Sequence, residues 1–334
     1  MKELMRASGL VAYYQTIDGG WIRAVDDLSL ALKEGEVLGI AGESGCGKTT
    51  LASVLSLTAR WPLSVRAGEL SIDGEVLDLS QLEHVPAAHR GTLVSLLPQG
   101  AMNSLNPTER VRDFVYDVLS SHIPDIERDE ASELARSRLE QLSLPARVLS
   151  AYPHQLSGGM KQRVVAVIST LLNPKVLVAD EPTSALDVTS QRALLALLDR
   201  LLGEGIIGSI VLVTHELPIL RHIATRIMIM YAGQLAEIGP CETVIFDPAH
   251  PYTKALMNST IVIESTTRRE RIPGFEGAPP DLGDPPPGCR FHPRCPVVMS
   301  ECSKALPPLV TTTPDHEAAC YWVARHAAEA VRVE

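Results

Sequence analysis

Aromatic side chains are scarce in this chain. Phe, Trp and Tyr make up 4% of its 334 residues, so Leu, Val, Ile and Ala fill the apolar positions. That mix suits parallel strands packed under helices. Long apolar runs are also missing. Even stretches such as Ile206–Val213 fall short of the roughly eighteen residues that a spanning helix needs. The opening MKELMRASGL has no basic-then-apolar leader. These absences lead us to expect a soluble protein facing the cytoplasm, which meets any membrane through other chains. Positive charge is in deficit, with a formal net charge of −10. A grip on nucleic-acid backbone calls for the opposite balance, so no nucleic-acid partner is expected. There is no internal repeat and no low-complexity tract.

What is present alternates. Leu10–Leu32 reads as a meander of short strands around a Gly-Gly turn. Glu36–Ala41 is a short apolar run leading into glycines, and Lys48–Leu57 reads as a helix. Helical patterns follow at Val111–Ser121, Arg128–Leu142 and Met160–Leu172. Then come a buried strand at Val176–Ala179, a helix at Thr189–Leu202, a strand at Ile210–Thr214 and a helix at Leu217–Ala224. Strands alternating with helices imply an α/β fold with a mostly parallel sheet. Composition shifts near Pro248, and Pro becomes frequent, as in APPDLGDPPPGC at 278–289. We expect a main domain over 1–255, with a helical subdomain at about 100–172. An extension over 256–334 has too little periodic apolar content to fold on core burial alone.

Gly42–Thr49 reads GESGCGKT, which fits G-x-x-x-x-G-K-[ST] between a strand and a helix. Gly42, Glu43, Ser44, Gly45, Cys46 and Gly47 form a loop whose backbone N–H groups turn toward phosphate oxygens. Lys48 supplies a cation, Thr49 offers a hydroxyl to Mg²⁺, and Thr50 continues the helix start, whose field favours anions. Val176–Glu181 reads VLVADE, a strand ending in two carboxylates. Asp180 is placed to hold the Mg²⁺ shell, and Glu181 to act as general base on water. Cys46 reads as a spacer and Cys241 as buried filler.

With LSGGM at Leu156–Met160 added, the chain resembles the ABC-type ATPase family, and that resemblance implies a P-loop NTPase core. In that family Ser157, Gly158 and Gly159 open a helix that faces ATP held by a second subunit. Gln99 resembles the Q-loop glutamine, which contacts Mg²⁺ and the transmembrane partner. Ser184–Asp187 resembles the D-loop, with Asp187 at the dimer interface, and His215 the switch histidine on the γ-phosphate. Tyr14, with Tyr13 as the alternative, resembles the aromatic that stacks on adenine.

Within the family the chain is similar to oligopeptide/dipeptide importer ATPases. The features are SLNP at 104–107, YPH at 152–154, Met160, HPYT at 250–253 and PPGCRFHPRCP at 286–296. Pro98 departs from the usual Phe, and Gly100-Ala101 from the usual Asp-Pro. The resemblance implies ATP hydrolysis that powers solute uptake, and a second ATPase subunit, expected to be a paralogue forming a heterodimer. It also implies two permease subunits and an extracellular or lipid-anchored binding protein. Relatives carry peptides, nickel or oligosaccharides. A non-transport ABC ATPase is the alternative; a single P-loop and the lack of sustained heptads speak against it.

Four of the six cysteines fall in the extension: Cys289, Cys295, Cys302 and Cys320. Such a cluster in a cytosolic protein suggests a metal more than a disulfide frame. Relatives with this tail place a [4Fe–4S] cluster on the four thiolates. The interleaved His292 and His316 keep zinc open as the alternative, ahead of free buried thiols.

Overall fold

The computed structural model describes residues 2–259 and 277–330. Strands β1 (Glu3–Gln15) and β2 (Trp21–Lys33) form the expected hairpin, closed through Gly19 at φ 84°. Two strands that the sequence pattern did not announce, β4 (Leu63–Ile72) and β5 (Glu75–Asp78), complete an antiparallel sheet in the order β2-β1-β4-β5.

The second sheet carries the site. Its strands are β3 (Val37–Ala41), β6 (Val94–Leu97), β7 (Val176–Asp180), β8 (Ser209–Val213), β9 (Arg226–Tyr231), β10 (Gln234–Pro240), β11 (Leu309–Thr313) and β12 (His316–Ala319). The order is β11-β12-β10-β9-β3-β8-β7-β6. From β9 to β6 the neighbours are parallel, while β10, β12 and β11 add an antiparallel edge.

Strands β3, β7 and β8 are buried at every residue. Alternate side chains go to opposite faces. Leu38, Ile40, Val176, Val178, Val211 and Val213 join one core with Leu10, Leu28 and Leu51. Val37, Leu177, Ala179, Ile210 and Leu212 join the other, with Val164, Leu194 and Leu198. A strand covered on both faces needs an unbroken apolar run, which these sequences supply.

Helix α1 (Lys48–Leu55) follows β3, and a short turn α2 (His89–Thr92) precedes β6. The helical subdomain inserts between β6 and β7 as α3 (Val111–Ser120), α4 (Arg128–Gln141) and α5 (Gly158–Ile168). Val111, Val115 and Leu119 of α3 and Ala131, Ala135 and Leu139 of α4 recur every four residues and are buried. That spacing puts each set on one helix face. Helices α6 (Val188–Gly203), α7 (Leu217–Ile223), α8 (Cys241–Phe246), α9 (Pro251–Ser259) and α10 (Tyr321–Ala330) complete the chain.

The expected boundary at 255/256 falls within α9, and residues 260–276 of the expected extension lie outside the described residues. Beyond them β12 pairs with β10, so the extension adds strands to the main sheet. Its anchor is Glu237 of β10, which is fully buried. The Glu237 carboxylate accepts from His316 Nε2 at 2.7 Å and from the N–H groups of Ala249 and His250 at 2.8 and 2.9 Å. A buried carboxylate survives only when its lone pairs are matched in this way. Among the described residues no helix is long and apolar enough to cross a membrane.

Candidate nucleotide site

The loop between β3 and α1 turns on glycines at positive φ, with Gly42, Gly45 and Gly47 at 153°, 78° and 104°. At two of them a side chain has no room. A Cβ on Gly47 would stand 1.9 Å from the Ala24 carbonyl oxygen, and one on Gly42 would stand 2.2 Å from that of Met230. The loop is therefore pressed against both sheets. Buried Lys48 donates from Nζ to the carbonyls of Gly42 and Glu43, both at 2.9 Å.

The carboxyl end of β7 faces this loop. Thr49 Oγ1 donates to Asp180 Oδ1 at 3.3 Å. Burial raises the pKa of Asp180, and the Glu181 charge raises it further, against the Thr49 hydrogen bond and Lys48. A buried carboxylate beside a hydroxyl fits a hard cation, which takes oxygen ligands and favours the ionised form. Glu181 sits at φ 43°, in the left-handed region, and its N–H donates to the Val213 carbonyl at 2.8 Å. For a non-glycine residue that conformation costs on the order of 1 kcal/mol and is typical of residues held for function. Two exposed side chains meet its carboxylate. Gln99 Nε2 donates to Oε2 at 3.0 Å, and His215 Nδ1 donates to Oε1 at 3.0 Å.

Lys48, Thr49, Glu181, Gln99 and His215 line one cleft of about 520 Å³, with Asp180 buried behind Thr49. Tyr14, Ser44, Gly45, Gly47, Lys48, Thr49 and Thr50 form one wall. Gln99, Glu181 and His215 form the other. Strand alternation separates the two tyrosines. Tyr14 faces the cleft, its hydroxyl 3.3 Å from Thr50 Oγ1, while Tyr13 turns to Asp26, and its pKa is pushed up to about 12, by burial first. Gly42, Glu43 and Cys46 lie in the loop but not on the cleft wall, and Cys46 is buried. Ile22, Ala24 and Leu282 also line the cleft, and nothing in the local sequence marks them. Leu282 arrives from the extension, its carbonyl accepting from the Arg23 N–H at 2.9 Å.

The remaining site residues stand outside this cleft. Ser157 caps α5, its hydroxyl accepting from the Met160 N–H at 3.3 Å, and Ser157 and Gly158 are exposed. Gly159 packs on Ser190, whose Oγ would lie 2.5 Å from an added Cβ. Asp187 is exposed and caps α6 by accepting from Ser190 N at 3.0 Å. Ser157–Gly159 thus forms a presented helix start outside the cleft of the phosphate loop.

In the extension Cys289, Cys295, Cys302 and Cys320 are all free thiols. Burial pushes the Cys289 thiol up to about 12, with the other three adding to the rise. Cys295 and Cys320 are raised by burial and then by neighbouring tail thiols. Yet among the described residues no group of three or more His, Cys, Asp or Glu side chains is set to hold a metal ion. The thiols fit an iron–sulfur cluster in kind, but their spacing is not that of a ligand set. His316 is already committed to Glu237, and His292 Nδ1 to the Cys289 carbonyl at 2.9 Å.

Comparison with known proteins agrees with this geometry. A family profile described as "ABC transporter" matches residues 25–184, and one described as "Oligopeptide/dipeptide transporter, C-terminal region" matches 236–302. The dipeptide transport ATP-binding protein DppD of Bacillus subtilis (strain 168) is 35% identical over 99% of this chain and 98% of its own length. The oligopeptide transport ATP-binding protein OppD of Escherichia coli (strain K12) is 38% identical over 95% of this chain and 93% of its own. The ATP-binding cassette MJ0796, solved as a dimer in a post-hydrolysis state bound to ADP and Pi, superposes with a TM-score of 0.60. It is 26% identical and covers 71% of this chain and 99% of its own. The chain belongs to the ABC transporter family, as an ATP-hydrolysing cassette. Within that family it is an ATP-binding subunit of the oligopeptide/dipeptide importer type.

Proposed function

We propose that this chain powers peptide uptake as one of two ATPase subunits on the cytoplasmic face of a membrane. The observation that carries the reading is the single cleft joining the phosphate loop to Glu181, Gln99 and His215. The names of the relatives favour dipeptides or oligopeptides as cargo. The family favours two permease subunits and a binding protein as partners, with a paralogous ATPase completing a heterodimer. In this reading residues 1–255 form the ATPase and 256–334 the extension.

Tyr14 stacks on adenine. Lys48 and the loop N–H groups hold the β- and γ-phosphates. Thr49, Asp180 and Gln99 supply oxygens for Mg²⁺, which neutralises charge on the phosphates when bound. Glu181 accepts the proton of a water whose oxygen bonds to the γ-phosphorus. The bond to the bridging oxygen breaks, and ADP leaves with the electron pair. His215 both orients Glu181 and reaches the γ-phosphate. Ser157, Gly158 and Gly159 approach the partner's ATP, and Asp187 lies across the interface. Positioning and fixed charge supply most of the acceleration in such a site.

A [4Fe–4S] cluster on Cys289, Cys295, Cys302 and Cys320 is the finer reading of the extension. What supports it is the kind of donor, four free thiols in one short extension. Its ligands must draw together on loading, and no step of hydrolysis runs through it. Iron, sulfide and absorbance near about 400 nm in an anaerobic preparation test it, and absence of all three rejects it.

The transport reading is tested in liposomes that hold the chain with its permeases and partner ATPase. Stimulation of ATPase activity by peptide-loaded binding protein supports it. Turnover indifferent to every peptide and partner contradicts it.

A further inference from the structure

Glu43, the second residue of the phosphate loop, has each of its polar groups fixed. Its carbonyl accepts from Lys48 Nζ at 2.9 Å. Its N–H donates to the Tyr252 hydroxyl at 2.8 Å. Its carboxylate receives both terminal nitrogens of Arg294, at 2.8 and 3.0 Å. Arg294 lies 251 residues further along the chain, in the loop between Cys289 and Cys295. Arg294 also donates to the Tyr231 hydroxyl at 3.1 Å, and Tyr231 packs on Tyr252 and Phe291 with ring centroids 4.5 and 5.2 Å apart. In the same loop Arg290 pairs with Asp26 of β2 and donates to the Ala232 carbonyl.

The Glu43 and Arg294 side chains are only 18% and 6% exposed. A fork of this kind, mostly out of water, is strong and directional. Glu43 is absent from the cleft wall, while its neighbours Ser44 and Gly45 belong to it. The fork therefore holds a carboxylate away from the wall that meets the triphosphate, and it neutralises that charge. Left unpaired, the carboxylate would be a part-buried anion beside an anionic ligand.

We propose that Arg294 is a positioning residue for ATP binding, which acts through Glu43 and ties the affinity of the phosphate loop to the cysteine-bearing extension. The proposal rests on the ATPase reading above and goes beyond it by giving the extension a role in the ATP site.

The test is Mg·ATP binding by calorimetry on the full chain, with melting temperature followed in parallel. Arg294→Met is expected to weaken binding about tenfold, because it strands the Glu43 charge. Glu43→Gln alone should weaken binding less than Arg294→Met does, because it leaves no anion stranded and keeps the backbone contacts of residue 43. The double variant Glu43→Gln/Arg294→Met should recover most of the lost affinity, because the stranded charge is gone. A residue that merely docks the extension would show no such recovery. Unchanged affinity in Arg294→Met overturns the proposal, and so does a double variant as weak as the single one. If Arg294→Met does not fold, Arg294→Lys keeps the charge and loses the fork. It should bind about threefold more weakly, and wild-type affinity there overturns the proposal. A wild-type chain that binds no ATP defeats the ATPase reading itself; wild-type binding with an indifferent Arg294→Met defeats only this inference.

Discussion

His215 Nδ1 lies 3.0 Å from Glu181 Oε1. This contact joins the loop after β8 to the end of β7, across two parallel strands whose carboxyl ends open on the same cleft. With Gln99 on the other oxygen, the carboxylate is held from both sides while its backbone sits at φ 43°. In the proposed function this orientation readies Glu181 for the attacking water before the nucleotide arrives.

The phosphate loop should not tolerate a methyl group at its tightest point. Gly47→Ala demands φ 104° of an alanine and drives its Cβ to 1.9 Å from the Ala24 carbonyl oxygen. The expected outcome is loss of ATP binding by more than about tenfold, with a folded far-UV signature retained. Titration with a fluorescent ATP analogue checks this.

The exposed start of α5 separates binding from assembly. Ser157→Asp keeps a good helix cap, because Asp accepts from the Met160 N–H as Ser does. It also places a carboxylate where the reading brings the partner's γ-phosphate. ATP affinity of the single subunit should stay within about twofold, while ATP-driven association and turnover fall about 100-fold. Light scattering with and without ATP reads the association, and unaltered association would contradict a shared site.

Acid should weaken the fold through His250. Its Nδ1 accepts from the Tyr252 N–H at 3.0 Å, and its side chain meets the Ala319 backbone. Burial lowers its pKa from 6.5 to about 4. The folded form stays neutral while the unfolded chain takes up a proton below 6.5, so stability is full above that pH and falls until about pH 4. The loss is on the order of 3 kcal/mol over that window. Urea unfolding at pH 7.5 and pH 5 should show about 2 kcal/mol of it. His250→Asn, which retains an acceptor for Tyr252, should show a flatter dependence.

The local strand–loop–helix of the phosphate site was legible because every part of it is contiguous in sequence. The same holds for β7, whose apolar run ends at Asp180 and Glu181. The pairing of β4 with β1 was not legible: Ser64 faces Tyr13 across some fifty residues, and Arg66, Gly68 and Glu69 break the alternation. Nor did the tail's composition reveal β12, whose place beside β10 depends on His316 meeting Glu237 seventy-nine positions away. Tyr13 and Tyr14 are indistinguishable as letters, and only the pleat of β1 sends one to Asp26 and the other to the cleft. Leu282 reaches the cleft, and Arg294 the back of the phosphate loop, by tertiary docking that no periodicity encodes.

In the proposed function ATP cleavage depends most directly on Glu181. Glu181→Gln preserves the shape of the side chain, keeps an accepting oxygen for His215 while Gln99 turns its amide to accept from the new NH2 group, and removes the base. Single-turnover hydrolysis in the assembled complex should fall by about 100-fold or more, with ATP affinity unchanged and the ATP-bound dimer accumulating. Hydrolysis at the wild-type rate in that variant would contradict the account.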